Sequence, residues 1–293
     1  MAQTQHVTIS AVSRALQAME LLARSPGGLT VSAVAEQLGI ELSIASRILA
    51  TLAKDGYARR DANGLYRLTY RLVAIASRFV EEVGFVELCV PFLQEVADRT
   101  GELVQLALAE GDSLWFVAKA EGKHRIRMLS ALGREAPLHA SSVGKAWLAM
   151  LPENEALRLT LAKGMIPFTP HTITNVSRLR TELRKVRAQG YGVVEQEYIE
   201  GGIAVGAAIR VDRLGGAVLG GVSIAAPSFR VTRETVQEFG REMVQLAERV
   251  ASIWPLGAGV GDLRGVRPDS PASDLTRSVE IAGSARVTRT TST

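Results

Sequence analysis

Three segments of helical spacing between residues 10 and 56 are followed by an Asn-Gly turn between two β-prone runs, and few small folds accept that order. "SAVSRALQAMELLAR" spaces Val12, Leu16, Met19, Leu22 and Ala23 as one apolar face and runs into the breaker "SPGG". In "TVSAVAEQLG", Thr30 can cap the helix, Val34, Ala35 and Leu38 form its stripe, Glu36 faces outward, and Gly39 is placed to stop it. "LSIASRILATLAKDG" sets Ala45, Ile48, Leu49 and Leu52 on one face and ends at Gly56. "YARRDANGLYRLTY" then supplies two short runs joined by "DANG", a hairpin signal. Helix, helix, short turn, helix and hairpin describe a winged helix-turn-helix over residues 10–70.

With that stripe in the core, the third helix shows Ser43, Ser46, Arg47, Ala50 and Lys54 on its other face. Short hydroxyls let a backbone approach a DNA groove, and arginine reads guanine or clamps a phosphate. Arg59, Arg60 and Arg67 on the hairpin are placed to neutralise phosphates, which positions a protein without specifying sequence. Charge agrees: residues 1–78 carry nine Lys/Arg against five Asp/Glu, whereas residues 79–255 carry 20 against 21. That excess points to a polyanion partner for the first segment. The competing readings are a solvated face on a small three-helix domain and a winged domain that binds protein, for which the basic pair Arg59-Arg60 has no evident use.

Residues 71–83, "RLVAIASRFVEEV", read as a connecting helix ending at Gly84. From 84 to 254 the pattern is α+β around an antiparallel sheet. The helix "FVELCVPFLQEVADRTG" leads to a hairpin turning at Gly111-Asp112, and "RIRMLSALG" reads as a further strand. Helices to about 162 and the basic helix "SRLRTELRKVRAQG" follow, then strands in "GYGVVEQEYI", "IAVGAAIRV" and "AVLGGVSIAA", and a long closing helix to Trp254. Residues 257–293 have no periodicity and read as disordered. No apolar run approaches the roughly 20 residues of a membrane span, and "MAQTQHVTIS" lacks the regions of a signal peptide. The single cysteine, Cys89, reads as a buried core residue, so a cytoplasmic setting is expected.

"LHASSVGKAWLAMLP" imitates two catalytic motifs. Ser142 and Lys145 have the spacing of a Ser-x-x-Lys acyl-transfer pair, but the Ser-Asp-Asn and Lys-Thr-Gly partner motifs do not occur. As a phosphate loop the stretch has His139 where the first glycine belongs and Ala146 where the metal-binding hydroxyl belongs. The physical reading is a helix capped by Ser141 or Ser142, with Val143, Ala146, Trp147 and Met150 on its buried side and an anion-attracting start. The four histidines lie far apart without metal-ligand spacing, so neither metal nor cofactor is expected. In "KHRIRM", alternation separates Ile126 and Met128 from Arg125 and Arg127. Those arginines are either an exposed sheet face or a guard that selects a carboxylate. "GVSIA" misses the last glycine of a nucleophile elbow.

The run from "VSRALQAMELLARSPGGLTVSAVAEQLGIELSIASRILATLAKDGYARRDANGLYRLTYRL", with "GREAPLHASSVGKAWLAMLP", "RAQGYGVVEQEYIEGGIAVGAAI" and "GGVSIAAP", resembles the isocitrate lyase regulator (IclR) family of bacterial transcription factors. The resemblance covers nearly all of residues 10–254. It implies a winged helix-turn-helix, a linker helix and a GAF-like effector-binding domain with an antiparallel sheet. It implies a cytoplasmic repressor of a catabolic operon that binds double-stranded promoter DNA as a homodimer or tetramer and answers to a small carboxylate or aromatic acid. Carried over onto this sequence, the effector residues are Met128, Ser142, Val143, Gly202, Ala204, Gly206, Ser223 and Ala225. The chain departs from the family at Ile44, where a Thr is usual, and at Val194, Ala204, Ala208 and Arg210 in the later motif. Ile44 is either a thymine-methyl contact or a core residue. Apolar Val194 and small Ala204 favour an acid larger than two carbons.

Overall fold

In the computed structural model, which describes residues 9–254, the chain divides into one unit ending at Gly84 and another beginning at Phe85. The expectation for 257–293 lies outside the described residues. The first unit runs α1 (Ser10–Ala23), α2 (Val31–Leu38), α3 (Leu42–Lys54), β1 (Ala58–Arg60), β2 (Tyr66–Leu68) and α4 (Arg71–Val83). Thr30 caps α2 by accepting the Ala33 N–H, and Gly39 ends it in the left-handed conformation that glycine adopts without a Cβ penalty. Asp61 organises the wing by accepting the N–H groups of Asn63 and Leu65, both at 3.0 Å. Leu29 pairs with Tyr66 through two backbone hydrogen bonds, which ties the hairpin to the turn after α1.

Ala45, Ile48, Leu49 and Leu52 are buried with Val34, Ala35, Leu22 and Tyr66 in one small core. The α1 face differs from the expected one. Val12 and Leu16 are more than half exposed and Ala23 is exposed, while Ala18 and Leu22 are buried and Ala15 and Met19 pack beside them. Small alanines let α1 lie close to α3, so the larger side chains of the neighbouring face point outward. Val73, Ile75 and Phe79 on α4 are exposed as well.

The second unit contains α5 (Phe85–Thr100), β3 (Leu103–Glu110), β4 (Ser113–Ala120), α6 (Ser142–Met150), α7 (Glu153–Lys163) and α8 (Val176–Gln189). β5 (Gly192–Glu195), β6 (Gly202–Val211), β7 (Ala217–Pro227) and α9 (Arg233–Ser252) complete it. Its antiparallel sheet has the order β4-β3-β7-β6-β5. α5 and α9 pack on each other and on the sheet, and α6 packs on β5, β6 and β7 with α8 behind it. Cys89 is fully buried, as expected.

Three local expectations need correction. Residues 125–133 are not a strand. The free edge of β4 is taken by Gly133–Ala136 instead, through Phe116 N–H to the Arg134 carbonyl and Ala136 N–H to the Leu114 carbonyl. The strand from Gly192 stops at Glu195 because Gln196 turns with φ of 57°, an uncommon value outside glycine. Helix α6 has no polar side: Ser142 through Ala149 are all buried, since the sheet covers one flank and α8 the other, whereas Met150 is only half-buried.

Candidate functional site

Ser43, Ser46, Arg47 and Lys54 are exposed on one side of α3, opposite its buried stripe, and Arg59 and Arg60 are exposed on β1. Ser43 donates to Glu41 Oε2 at 3.3 Å. The Arg60 guanidinium stands 5.7 Å from the Tyr66 ring centroid, which steadies its stem without neutralising it. Arg67 is placed differently. It lies directly across the ladder from Arg59, half-buried and paired with Asp61 at 3.2 Å, with its Nε buried. The ion pair braces the wing and leaves about a third of the Arg67 side chain exposed. Ile44 is half-buried against the core, so the core alternative holds for that position.

In the second unit, pairing brings Val194, Ala204, Ala225 and Leu103 into one row across the sheet, and Gly192, Gly206, Ser223 and Gln105 into the next. Residues two apart on a strand share a face, so both rows point the same way. Apart from Gly192 and Gly206, they floor a cleft of about 610 Å³, counting its open mouth. Ser141, Ser142 and Val143 at the start of α6 close one end, and Met128, Leu129, Ser130, Arg134, Tyr198 and Ile199 line the rest. Ser141 caps α6 by accepting the Gly144 N–H at 3.0 Å.

Seven of the eight residues expected at an effector site, Met128, Ser142, Val143, Gly202, Ala204, Ser223 and Ala225, line this cleft together. Gly206 does not. A Cβ there would stand 2.9 Å from the Val143 backbone nitrogen, so its bare backbone is the seat on which α6 rests. Gly192 has the same role, with a Cβ meeting the Ser142 carbonyl at 2.7 Å. Sequence reasoning missed Gln105, Phe116, Ser130, Tyr198, Ile199 and Arg134. A signal existed for Gln105, a lone polar residue in the otherwise apolar run "LVQLALA". Neither Arg125 nor Arg127 lines the cleft. Both are exposed, and Arg127 pairs with Glu121 at 3.2 Å. Arg230 and Lys119 hold the mouth segment through the carbonyls of Ile126 and Ser130.

Lys145 is fully buried and donates to Glu197 and to the Val193 carbonyl. Its hydrogen bonds therefore lead away from Ser142. Among the described residues no three His, Cys, Asp or Glu side chains are grouped to hold a metal ion, and no helix is long and apolar enough to cross a membrane.

Comparison with known proteins decides the family. Residues 11–62 match the IclR helix-turn-helix domain, and residues 77–252 match the C-terminal domain of bacterial IclR transcriptional regulators. The chain belongs to the IclR family. One relative, the HTH-type transcriptional regulator Rv1719 of Mycobacterium tuberculosis, is 34% identical over 235 residues, covering 80% of this chain and 86% of its own. The HTH-type transcriptional repressor AllR of Salmonella typhi is 29% identical, covering 76% of this chain and 82% of its own. A crystal structure of an IclR homolog from Microbacterium hydrocarbonoxydans, complexed with 4-hydroxybenzoate, superposes with a TM-score of 0.68 at 25% identity, covering 83% of this chain and 99% of that one. The two units are thus the helix-turn-helix and effector domains of an IclR regulator. Of the positions read from the sequence as departures from the family pattern, Val194 and Ala204 line the cleft, Ala208 packs on the core, and Arg210 is exposed and paired with Asp212.

Proposed function

We propose that this IclR regulator is a ligand-responsive repressor of a catabolic operon, acting in the cytoplasm on double-stranded promoter DNA. Residues 10–70 form the DNA-binding domain, the helix at 71–83 is the linker, and 84–254 sense a small carboxylate or aromatic acid. Ser43, Ser46, Arg47 and Lys54 enter the major groove from α3, and Arg59 and Arg60 hold phosphates from the wing. The observation that carries the reading is a largely apolar cleft with a few polar side chains, in one chain with a helix-turn-helix domain. Such a cleft suits a small molecule that is apolar over most of its surface and oriented by a few polar groups. The repressor name of the Salmonella relative supports repression, and the 4-hydroxybenzoate in the Microbacterium homolog supports an aromatic acid. The exposed Val12 and Leu16 of α1 and Val73, Ile75 and Phe79 of α4 support a dimer or tetramer that covers them.

The test is fluorescence anisotropy of the full chain on DNA from immediately upstream of its own gene, beside a scrambled duplex, at two salt concentrations. A preference for the upstream DNA that survives the higher salt is expected. Equal binding to both duplexes, erased by salt, contradicts the reading.

A further inference from the structure

Cations surround the effector cleft, and nearly all of them are committed. Lys145 is paired with Glu197, Arg127 and Lys119 with Glu121, and Arg230 with Glu102 through two hydrogen bonds. Arg134 differs. It lines the cleft, yet among the described residues no carboxylate lies within 4.0 Å of it, and no Asp or Glu lines the cleft at all. Its guanidinium is held by neutral groups only, donating from Nη1 to the Tyr198 hydroxyl at 3.2 Å and from Nη2 to Ser130 Oγ at 3.1 Å. Its Nε is buried without a hydrogen-bond partner. A buried donor of this kind costs stability unless something accepts from it.

The backbone around this arginine is fixed. Gly133, Arg134 and Ala136 are stitched to the edge of β4, so the side chain leaves a sheet-like backbone and not a free loop. Gln105 donates to Ser130 at 2.8 Å, which locks the acceptor that holds Nη2. The Tyr198 oxygen accepts from Arg134 and keeps its own O–H for another partner, while Arg134 keeps a second N–H on each of Nη1 and Nη2 beside its buried Nε–H. Donors on both the cation and the phenol therefore remain for the two oxygens of a carboxylate.

The geometry points to Arg134 as the residue that sets the charge class of the effector: a monoanion whose carboxylate takes the guanidinium and the Tyr198 hydroxyl, with an uncharged apolar body over Leu103, Ala204 and Ala225. The inference rests on the effector-cleft reading above and adds the group that selects for charge. A second carboxylate on the ligand has no cation to meet, since no other charged side chain lines the cleft.

The experiment uses matched probes on the full chain: benzoate with benzamide, 4-hydroxybenzoate with 4-hydroxybenzamide, and terephthalate as the dianion. Binding is read by calorimetry, beside the melting temperature of each variant. The acids are expected to bind in preference to their amides and to terephthalate. Arg134→Gln should weaken acid binding about ten- to a hundredfold and erase the preference over the amide, with Arg134→Lys between. A merely structural role would lower both affinities and leave their ratio intact, so the ratio is decisive even where a variant loses stability. Amides that bind the wild type as well as the acids do, an acid preference that persists in Arg134→Gln, or no acid binding anywhere in the series each overturns the assignment. Upstream-DNA binding by the unliganded wild type, measured in parallel, shows whether the regulator reading falls with it.

Discussion

The buried Nζ of Lys145 stands 2.5 Å from Oε1 of Glu197 and 3.7 Å from Glu182, joining α6 to the segment that leaves β5. The next two residues of that segment, Tyr198 and Ile199, line the cleft. Thr169 and Thr172 fasten the same segment by donating to the carbonyls of Gln196 and Glu197. The ion pair thus holds one wall of the cleft to the helix whose start forms the other.

Removing one partner of a buried pair leaves the other charge uncompensated, at about 3–5 kcal/mol. Lys145→Met should destabilise the protein by about that amount and weaken acid binding, although Lys145 does not itself line the cleft. Lys145→Met with Glu197→Met should recover most of the stability. Urea unfolding of the three proteins checks this, and a double variant no better than the single one would count against the pairing as the cause.

Gly206 and Gly192 make a sharper steric case. In Gly206→Ala the new methyl meets backbone atoms of Ser142 and Val143 at about 3 Å, and backbone cannot step aside as a flexible side chain can. A loss of about 1–3 kcal/mol is expected, with weaker acid binding as α6 lifts from the sheet. Thermal unfolding and calorimetry read the two effects, and an unchanged protein would show that α6 is not seated on that strand.

This position also shows how far the sequence could be read. The winged helix-turn-helix was legible because its apolar spacing, the Thr30 cap, the Gly39 stop and the "DANG" turn all agree locally. The α1 face was not, since Val12 and Leu16 look like core residues until packing shows that Ala15 and Ala18 permit the closer approach. Residues 125–133 alternate as a strand should, but the β4 edge went to Gly133–Ala136, a competition between segments that alternation cannot decide. The cleft's rows depend on register across β5, β6, β7 and β3, and register is a tertiary property. Arg134 escaped for that reason: only the pairing of 133–136 aims it at the cleft.

On the DNA side, the three wing and helix arginines should separate. Arg47→Ala should relax sequence preference by about 1–3 kcal/mol. Arg60→Ala should weaken all duplexes alike and flatten the salt slope by about one. Arg67→Ala should act mainly through stability, because Arg67 is already paired with Asp61. Anisotropy at several salt concentrations, beside melting curves, distinguishes the three. Identical effects from all of them on every sequence would refute the division.

Burial pushes the Cys89 thiol up to about 12, from 9.0 when free. The folded state therefore keeps its proton where the unfolded chain gives it up. The contribution to stability is full below pH 9.0 and is lost progressively as pH rises towards about 12. At pH 8 the thiol should react with a disulfide reagent only at the rate of unfolding, and prompt labelling of the native protein would contradict its burial.

Whether an acid in the cleft governs DNA binding is read most directly by titrating the preformed complex with upstream DNA. Benzoate and 4-hydroxybenzoate are added while anisotropy is followed, with Arg134→Gln as the comparison. Saturable release from the wild type is expected, a shift in operator affinity of about 1–3 kcal/mol, with none from Arg134→Gln at the same concentrations. DNA affinity that stays constant while calorimetry shows the acid bound would contradict that expectation.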